Sequence, residues 1–136
     1  MAAATAPVMQ TYEVGDINSL PMKASTKIWQ GSACSILAAG TVAPLTATEK
    51  FAGFAIDTFD NSTGAASAKN ALVKTYGMIE LTVATLASST QIGVSVYASD
   101  DSTFTLVSTS NTLIGKIHRV LPGAVKAIVT FNADLI

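Results

Sequence analysis

Side chains that could act as acids, bases, nucleophiles or metal ligands are few in this chain and widely spaced. Its 136 residues include one His and one Cys, and 12% are charged, against about 25% in an ordinary globular domain. His118 lies near Lys116 and Arg119 but has no second His or Cys at metal-ligand spacing. No Gly-x-Ser-x-Gly motif precedes it to supply a hydrolase nucleophile. We interpret His118 as a surface or interface residue.

Two groups of acidic residues could suggest a calcium site or a catalytic carboxylate pair. Asp57, Asp60 and Asn61 lack the spacing of an EF-hand loop. No feature of the sequence sets two of these carboxylates across a sugar, as a glycosidase requires. Asp100-Asp101 stands between two strand-like segments. Asp and Asn are ordinary turn residues at strand ends, so the sequence predicts structural roles for both groups.

The single cysteine, Cys34, lies in the apolar segment Ser32–Leu37. No neighbouring base or helix start is visible to lower its pKa. We therefore predict a buried thiol that packs as a small hydrophobic side chain. With no catalytic, cofactor-binding or metal-binding residue to assign, we expect a protein that is not an enzyme and carries no cofactor.

Composition points instead to a structural protein that works inside an assembly. Ser and Thr number 30 and Ala 22, while the net charge is −1. A chain with few charges has little electrostatic repulsion to keep its copies apart. We therefore expect a homo-oligomer, with a trimer favoured over a dimer. The scattered cations argue against nucleic acid as a partner. No run of about 20 apolar residues is present to span a membrane, and the N-terminus does not resemble a secretory signal.

Short apolar segments separated by turn signals predict an all-β fold from residue 22 onwards. We expect a compact antiparallel β-sandwich or β-barrel-like domain over residues 22–136, with no long helix. A short helical turn is possible over 86–91, where Ser88 and Ser89 can cap local backbone. The strand candidates are 26–30, 33–37, 41–45, 51–59, 72–76, 78–83, 94–99, 103–107, 113–120 and 124–131.

Residues 1–21 read as an extended N-terminal arm. Pro7, Pro21 and turn residues interrupt regular structure, yet five apolar side chains are too many for a purely solvated tail. The arm could become ordered against a partner or pack over its own domain, and the sequence leaves both open. Trp29 could likewise be exposed at an interface or buried by a second sheet. The candidate interface residues are Val8, Met9, Tyr12, Val14, Ile17 and Trp29.

Four segments, in order, resemble a family of tailed-bacteriophage capsid cement, or head decoration, proteins. The family patterns are T-K-I-x-x-G, F-x-G-x-A…D-N, G-x-x-V-Y-A-x-D-D-x-x-x-T-L and I-G-x-V/I. The resemblance covers about residues 22–131. The matching segments here are Thr26–Gly31 followed by 33–37, Phe51–Ala55 with Asp60-Asn61-Ser62, Val94–Asp101, and Ile114–Ile117.

The resemblance implies a β domain that binds the outside of a phage capsid and stabilises the shell, with no catalytic residues. It implies the major capsid protein and other copies of this chain as partners. It places the chain on the virion exterior after synthesis in the host cytoplasm. The alternative is a carbohydrate-binding β-sandwich, which would need a row of exposed aromatic side chains. Trp29, Tyr76 and Tyr97 are the candidates for such a row.

Overall fold

The regular structure of the described residues consists of twelve β-strands and two 3-10 helices. The computed structural model describes Ala6, Pro7, Glu13 and residues 15–135. The strands are β1 (Ile17–Pro21), β2 (Thr26–Ile28), β3 (Ala33–Ile36), β4 (Val42–Pro44), β5 (Lys50–Ala55), β6 (Phe59–Asn61), β7 (Asn70–Lys74), β8 (Tyr76–Ala84), β9 (Ser95–Ala98), β10 (Phe104–Thr105), β11 (Thr112–Val120) and β12 (Lys126–Asn132). The 3-10 helices are Ser89–Gln91 and Ala133–Leu135. The predicted all-β class is confirmed.

The strands form an open sheet, a closed barrel and a two-stranded ribbon. The open sheet has the order β1-β7-β5-β3-β4, and the barrel has the order β10-β8-β12-β11-β9. Strands β2 and β6 pair with each other. Met22, just after β1, forms a bridge with Val42 of β4, so the open sheet curls until its two edges touch at one end. Within the described residues no helix is long and apolar enough to cross a membrane.

Alternating side chains give the barrel its filled interior. In β8, Leu81 and Val83 are buried while Met78, Glu80 and Thr82 are exposed, as the period of two predicts. A separate, smaller cluster around Met22, Ile28 and Val42 fills the concave side of the open sheet. Phe54 of β5 belongs to the barrel cluster, so the open sheet packs on the barrel through this side chain.

The predicted strand over 51–59 is two strands. β5 ends at Ala55, and Phe59 begins β6, which pairs with β2 instead of continuing the open sheet. In between, the Thr58 N–H donates to the Asp57 carboxylate (2.7 Å) and the Thr58 hydroxyl accepts from the Gln30 N–H (3.1 Å). These local bonds turn the chain, and they involve Gln30, far away in sequence.

Three further features bear on the predictions. Ile17–Pro21, assigned to the arm, forms β1 and pairs antiparallel with β7 along its whole length. The short β10 pairs with β8 in parallel, although antiparallel pairing was expected throughout. The helical turn predicted over 86–91 is present as the 3-10 helix Ser89–Gln91, with Ser88 and Gln91 forming a capping box.

Candidate functional site

The acidic residues near strand ends hold turns. The Asp100 carboxylate accepts from the backbone N–H groups of Ser102 (2.9 Å) and Thr103 (2.8 Å). The bond from Ser102, with the Thr103 bonds, holds the pKa of Asp100 below its usual value. Asp60 accepts from the Ser62 N–H (2.9 Å), and hydrogen bonds from the side chain and the backbone of Ser62 hold the pKa of Asp60 below its usual value. The predicted turn roles of these carboxylates are confirmed.

Asn61 holds the loop that follows β6 to the chain that precedes β2. Its side-chain amide is buried and donates to the carbonyl oxygens of Lys23 and Ala65, at 3.0 Å each. Gly64 packs directly on the Asn61 amide, leaving no room for a side chain at that position. Asn61 is thus a structural residue of this loop.

His118 lies on the exposed side of β11 at a β-bulge. The pairing with β12 passes from Ile117↔Val129 to Arg119↔Ile128, which leaves His118 as the extra residue. Its side chain is exposed. Within the described part of the chain, no group of three or more His, Cys, Asp or Glu side chains could hold a metal ion.

Cys34 is fully buried, as predicted. Burial raises the pKa of its thiol to about 12, with Asp101 contributing in the same direction and a hydrogen bond to the backbone of Ala55 opposing the change. The thiol is therefore protonated at neutral pH and unsuited to nucleophilic chemistry.

Two of the predicted interface residues can be placed. Trp29 is 59% exposed, and the Lys27 ammonium lies 3.8 Å from the centre of its ring. Ile17 begins β1 and is also exposed. Strand pairing does not bring Trp29 and Ile17 together. The other four candidates lie outside the described residues: Val8, Met9, Tyr12 and Val14.

An apolar patch lies on the face of the open sheet that also carries Phe54. Lys74 of β7 is opposite both Ile17 of β1 and Phe54 of β5, so these three side chains lie on one face of the sheet. Leu72, two residues before Lys74, lies on the same face. Ile56 is next to Leu72, because its N–H donates to the Leu72 carbonyl oxygen. Met78 of β8 lines the same depression as Ile56 and is 60% exposed. We call Ile17, Ile56, Leu72 and Met78 the sheet patch. The Lys74–Asp16 ion pair (3.3 Å) lies beside it.

A second apolar surface is a groove of about 490 Å³ beside β11 and the end of β12. Its walls include Ile92, after the first 3-10 helix, and Leu135, in the second. Both are well exposed, at 54% and 82%. Lys116 and His118 also line it. We call this the C-terminal groove.

The sequence analysis did not identify either surface. The period-two alternation of β8 predicts that the Met78 side chain faces outward, so this one member of the sheet patch could be found from the sequence. Leu72 and Ile56, by contrast, become neighbours only through the pairing of β5 with β7. Ile92 and Leu135 are 43 positions apart in sequence and meet only across β11 and β12.

No family model, curated protein or solved structure matches the chain.

Proposed function

We propose that this chain is a structural protein of a phage particle that binds the outer surface of the capsid and stabilises the shell. The observation that carries the proposal is the sheet patch, an apolar surface formed by the open sheet together with Met78 of β8. Exposed apolar side chains grouped on one face are a common mark of a protein-binding surface. The four family-like segments support the same function.

The chemistry of the described residues agrees with a binding role. The carboxylates of Asp60 and Asp100 are engaged in turns, and Cys34 is buried and protonated. A chain with a net charge of −1 has little electrostatic attraction for a partner. Apolar contact at the sheet patch then supplies the affinity, and many copies on one shell multiply it.

The proposed partners are the major capsid protein and further copies of this chain. A trimer at capsid three-fold positions is proposed first and a dimer second, because closed symmetric assemblies suit a repeated shell. The oligomeric state is measured by sedimentation, both for the purified chain at micromolar concentration and for the chain released from capsids. A monomer that also occupies separate, non-touching capsid sites would refute the oligomer.

Binding to capsid shells tests the function. The first step is to ask whether a major capsid protein is encoded beside this chain. Shells assembled from that capsid protein are then mixed with the purified chain, and co-sedimentation is measured. The double variant Ile56→Glu, Met78→Glu should bind at least tenfold more weakly than the native chain. The matched control is Val125→Glu, because Val125 is 58% exposed and lies just before β12, whereas Met78 is opposite Thr130 farther along that strand.

Two results would count against the proposal. Failure of the native chain to bind the shells removes the function. Equal loss of binding in the patch variant and in Val125→Glu removes the sheet patch as its surface. A glycan array tests the carbohydrate-binding alternative. Its candidate aromatic residues do not share a strand, because Trp29 follows β2, Tyr76 begins β8 and Tyr97 lies in β9.

A further inference from the structure

The C-terminal groove lies between two walls that backbone hydrogen bonds hold to the rest of the fold. One wall is the loop after the first 3-10 helix, where the Gly93 N–H donates to the Ile117 carbonyl oxygen (2.8 Å). The other is the second 3-10 helix, where the Ala133 N–H donates to the Thr75 carbonyl oxygen (2.7 Å). The groove measures about 490 Å³, and small-molecule sites are commonly preformed and about 300–1,000 Å³ in volume.

The apolar side chains of the groove suit an alkyl chain. Ile92 and Leu135 of the two walls are well exposed, and Leu113 between them is half-buried. A linear apolar chain in the groove would remove these side chains from water, which is favourable in proportion to the apolar area covered.

The polar side chains of the groove are suited to donating hydrogen bonds. Lys116 and His118 are exposed on β11, and neither takes part in an ion pair within the described residues. The side-chain oxygen of Asn132 accepts from the Asp134 N–H (3.1 Å), so its NH₂ group is the part of that amide left to meet a ligand.

The charge of the groove is one-sided. Among the described residues, no aspartate or glutamate lines it. The nearby Asp134 lines a different depression, which it shares with Lys50. A cationic side chain and an amide donor with no carboxylate beside them complement an anionic group.

We propose that the C-terminal groove binds a free alkyl carboxylate with a single unbranched chain. The alkyl chain lies against Ile92, Leu113 and Leu135, and the carboxylate accepts hydrogen bonds from Lys116 and Asn132. This binding does not depend on attachment to a capsid, because none of the four residues of the sheet patch lines the groove.

An NMR titration of the full chain, labelled with ¹⁵N, tests the proposal with decanoate below its micelle concentration. The amide signals of Gly93, Lys116 and Leu135 should shift to saturation, whereas that of Thr63, in the loop after β6, should not. Decylammonium has an alkyl chain of the same length but a cationic head, so it should bind at least fivefold more weakly. An absence of saturable shifts at the groove, or equal affinity for the two probes, would overturn the proposal.

Two variants separate the apolar contact from the charge. Leu135→Asp should weaken decanoate binding at least tenfold, and Val125→Asp, an exposed position outside the groove, should leave it unchanged. Lys116→Gln should reduce the preference for decanoate over decylammonium at least twofold, because an exposed ion pair contributes modestly. Lys126→Gln is its control, since Lys126 is exposed and does not line the groove. Native affinity for decanoate in Leu135→Asp would overturn the proposal.

Sedimentation of the same variants distinguishes the ligand from a second copy of the chain. The proposal expects Leu135→Asp and Val125→Asp to keep the oligomeric state of the native chain. Dissociation of a native oligomer by Leu135→Asp alone would overturn the proposal and assign the groove to contact between copies. Neither measurement uses capsid shells, so failure here is distinct from failure of the proposed capsid binding.

Discussion

The ring of Phe54, from the open sheet, meets that of Phe131, from the barrel, edge to face, with their centroids 4.9 Å apart. Phe51 and Phe104 pack around the same contact. This aromatic cluster joins the two sheets, so the sheet patch and the C-terminal groove belong to one packed unit.

Removing the ring at the centre of this cluster should destabilise the whole domain. Phe54→Ala deletes a buried aromatic side chain that touches three others, and such a change costs about 3–5 kcal/mol. Urea denaturation measures the loss, with exposed Val125→Ala as the control, expected within about 0.5 kcal/mol of the native chain. A loss below about 1 kcal/mol for Phe54→Ala would show that the sheets are joined by other contacts.

Gly53 should not tolerate even a methyl group. Its φ is +130°, and a Cβ at this position would lie 2.5 Å from the carbonyl oxygen of Lys74 on β7. Gly53→Ala should therefore lower the free energy of unfolding by more than about 1 kcal/mol. Gly123→Ala is a matched control, since Gly123 has a positive φ but open space around it. Equal effects would assign the cost to backbone conformation alone.

The Asp100 turn should weaken at low pH. Its pKa is lower in the folded chain than in the unfolded one, so the carboxylate stabilises the fold above the unfolded value, and this stabilisation is lost as the pH falls through the folded value. Asp100→Asn should reduce stability at pH 7 and differ less from the native chain near pH 2. Asp101→Asn is the control, because Asp101 joins the fold through its carbonyl oxygen, which accepts from the Ala33 N–H (2.9 Å). A pH-independent difference for Asp100→Asn would contradict the assignment.

Cys34 should be unreactive until the chain unfolds. The thiol is buried, so a reagent cannot reach it in the folded chain. Its pKa is raised to about 12, so it is also protonated at pH 8. A maleimide should label the native protein far more slowly than the protein in denaturant. Val107→Cys, at an exposed position, supplies the fast control. Rapid labelling of Cys34 under native conditions would mean that β3 opens locally.

Truncation of the arm separates its role from that of the domain. Deleting residues 2–13 keeps Gly15 and Asp16, whose carbonyl oxygens bind Thr75, and all twelve strands. The melting temperature should change by less than about 4 °C. Capsid binding should be unchanged, because the truncation keeps all four residues of the sheet patch. A large loss of binding in the truncated chain would show that the arm, and not the sheet patch, makes the main contact with the capsid.

Much of the fold could be predicted from local pattern, while the surfaces could not. The alternation of β8 and the Asp100 turn between β9 and β10 depend on neighbouring residues, and both were identified correctly. The division of 51–59 into β5 and β6 depends on Gln30 and on pairing with β2, which local pattern does not contain. The sheet patch and the C-terminal groove arise from strand register across the whole chain. Register is set by long-range packing, so these surfaces appear only in the folded structure.

The bridge between Met22 and Val42 has a consequence for behaviour at high concentration. Unpaired strand edges let β proteins add to one another without limit, and charge on the edge is one common protection. This chain has little charge, but its barrel is closed and the open sheet brings its own edges together at that bridge, where the Lys23 N–H donates to Val42 (3.0 Å). Pro44, which has no N–H, further limits pairing at β4. At this end of the open sheet, strand geometry and not charge restricts the addition of strands from another copy.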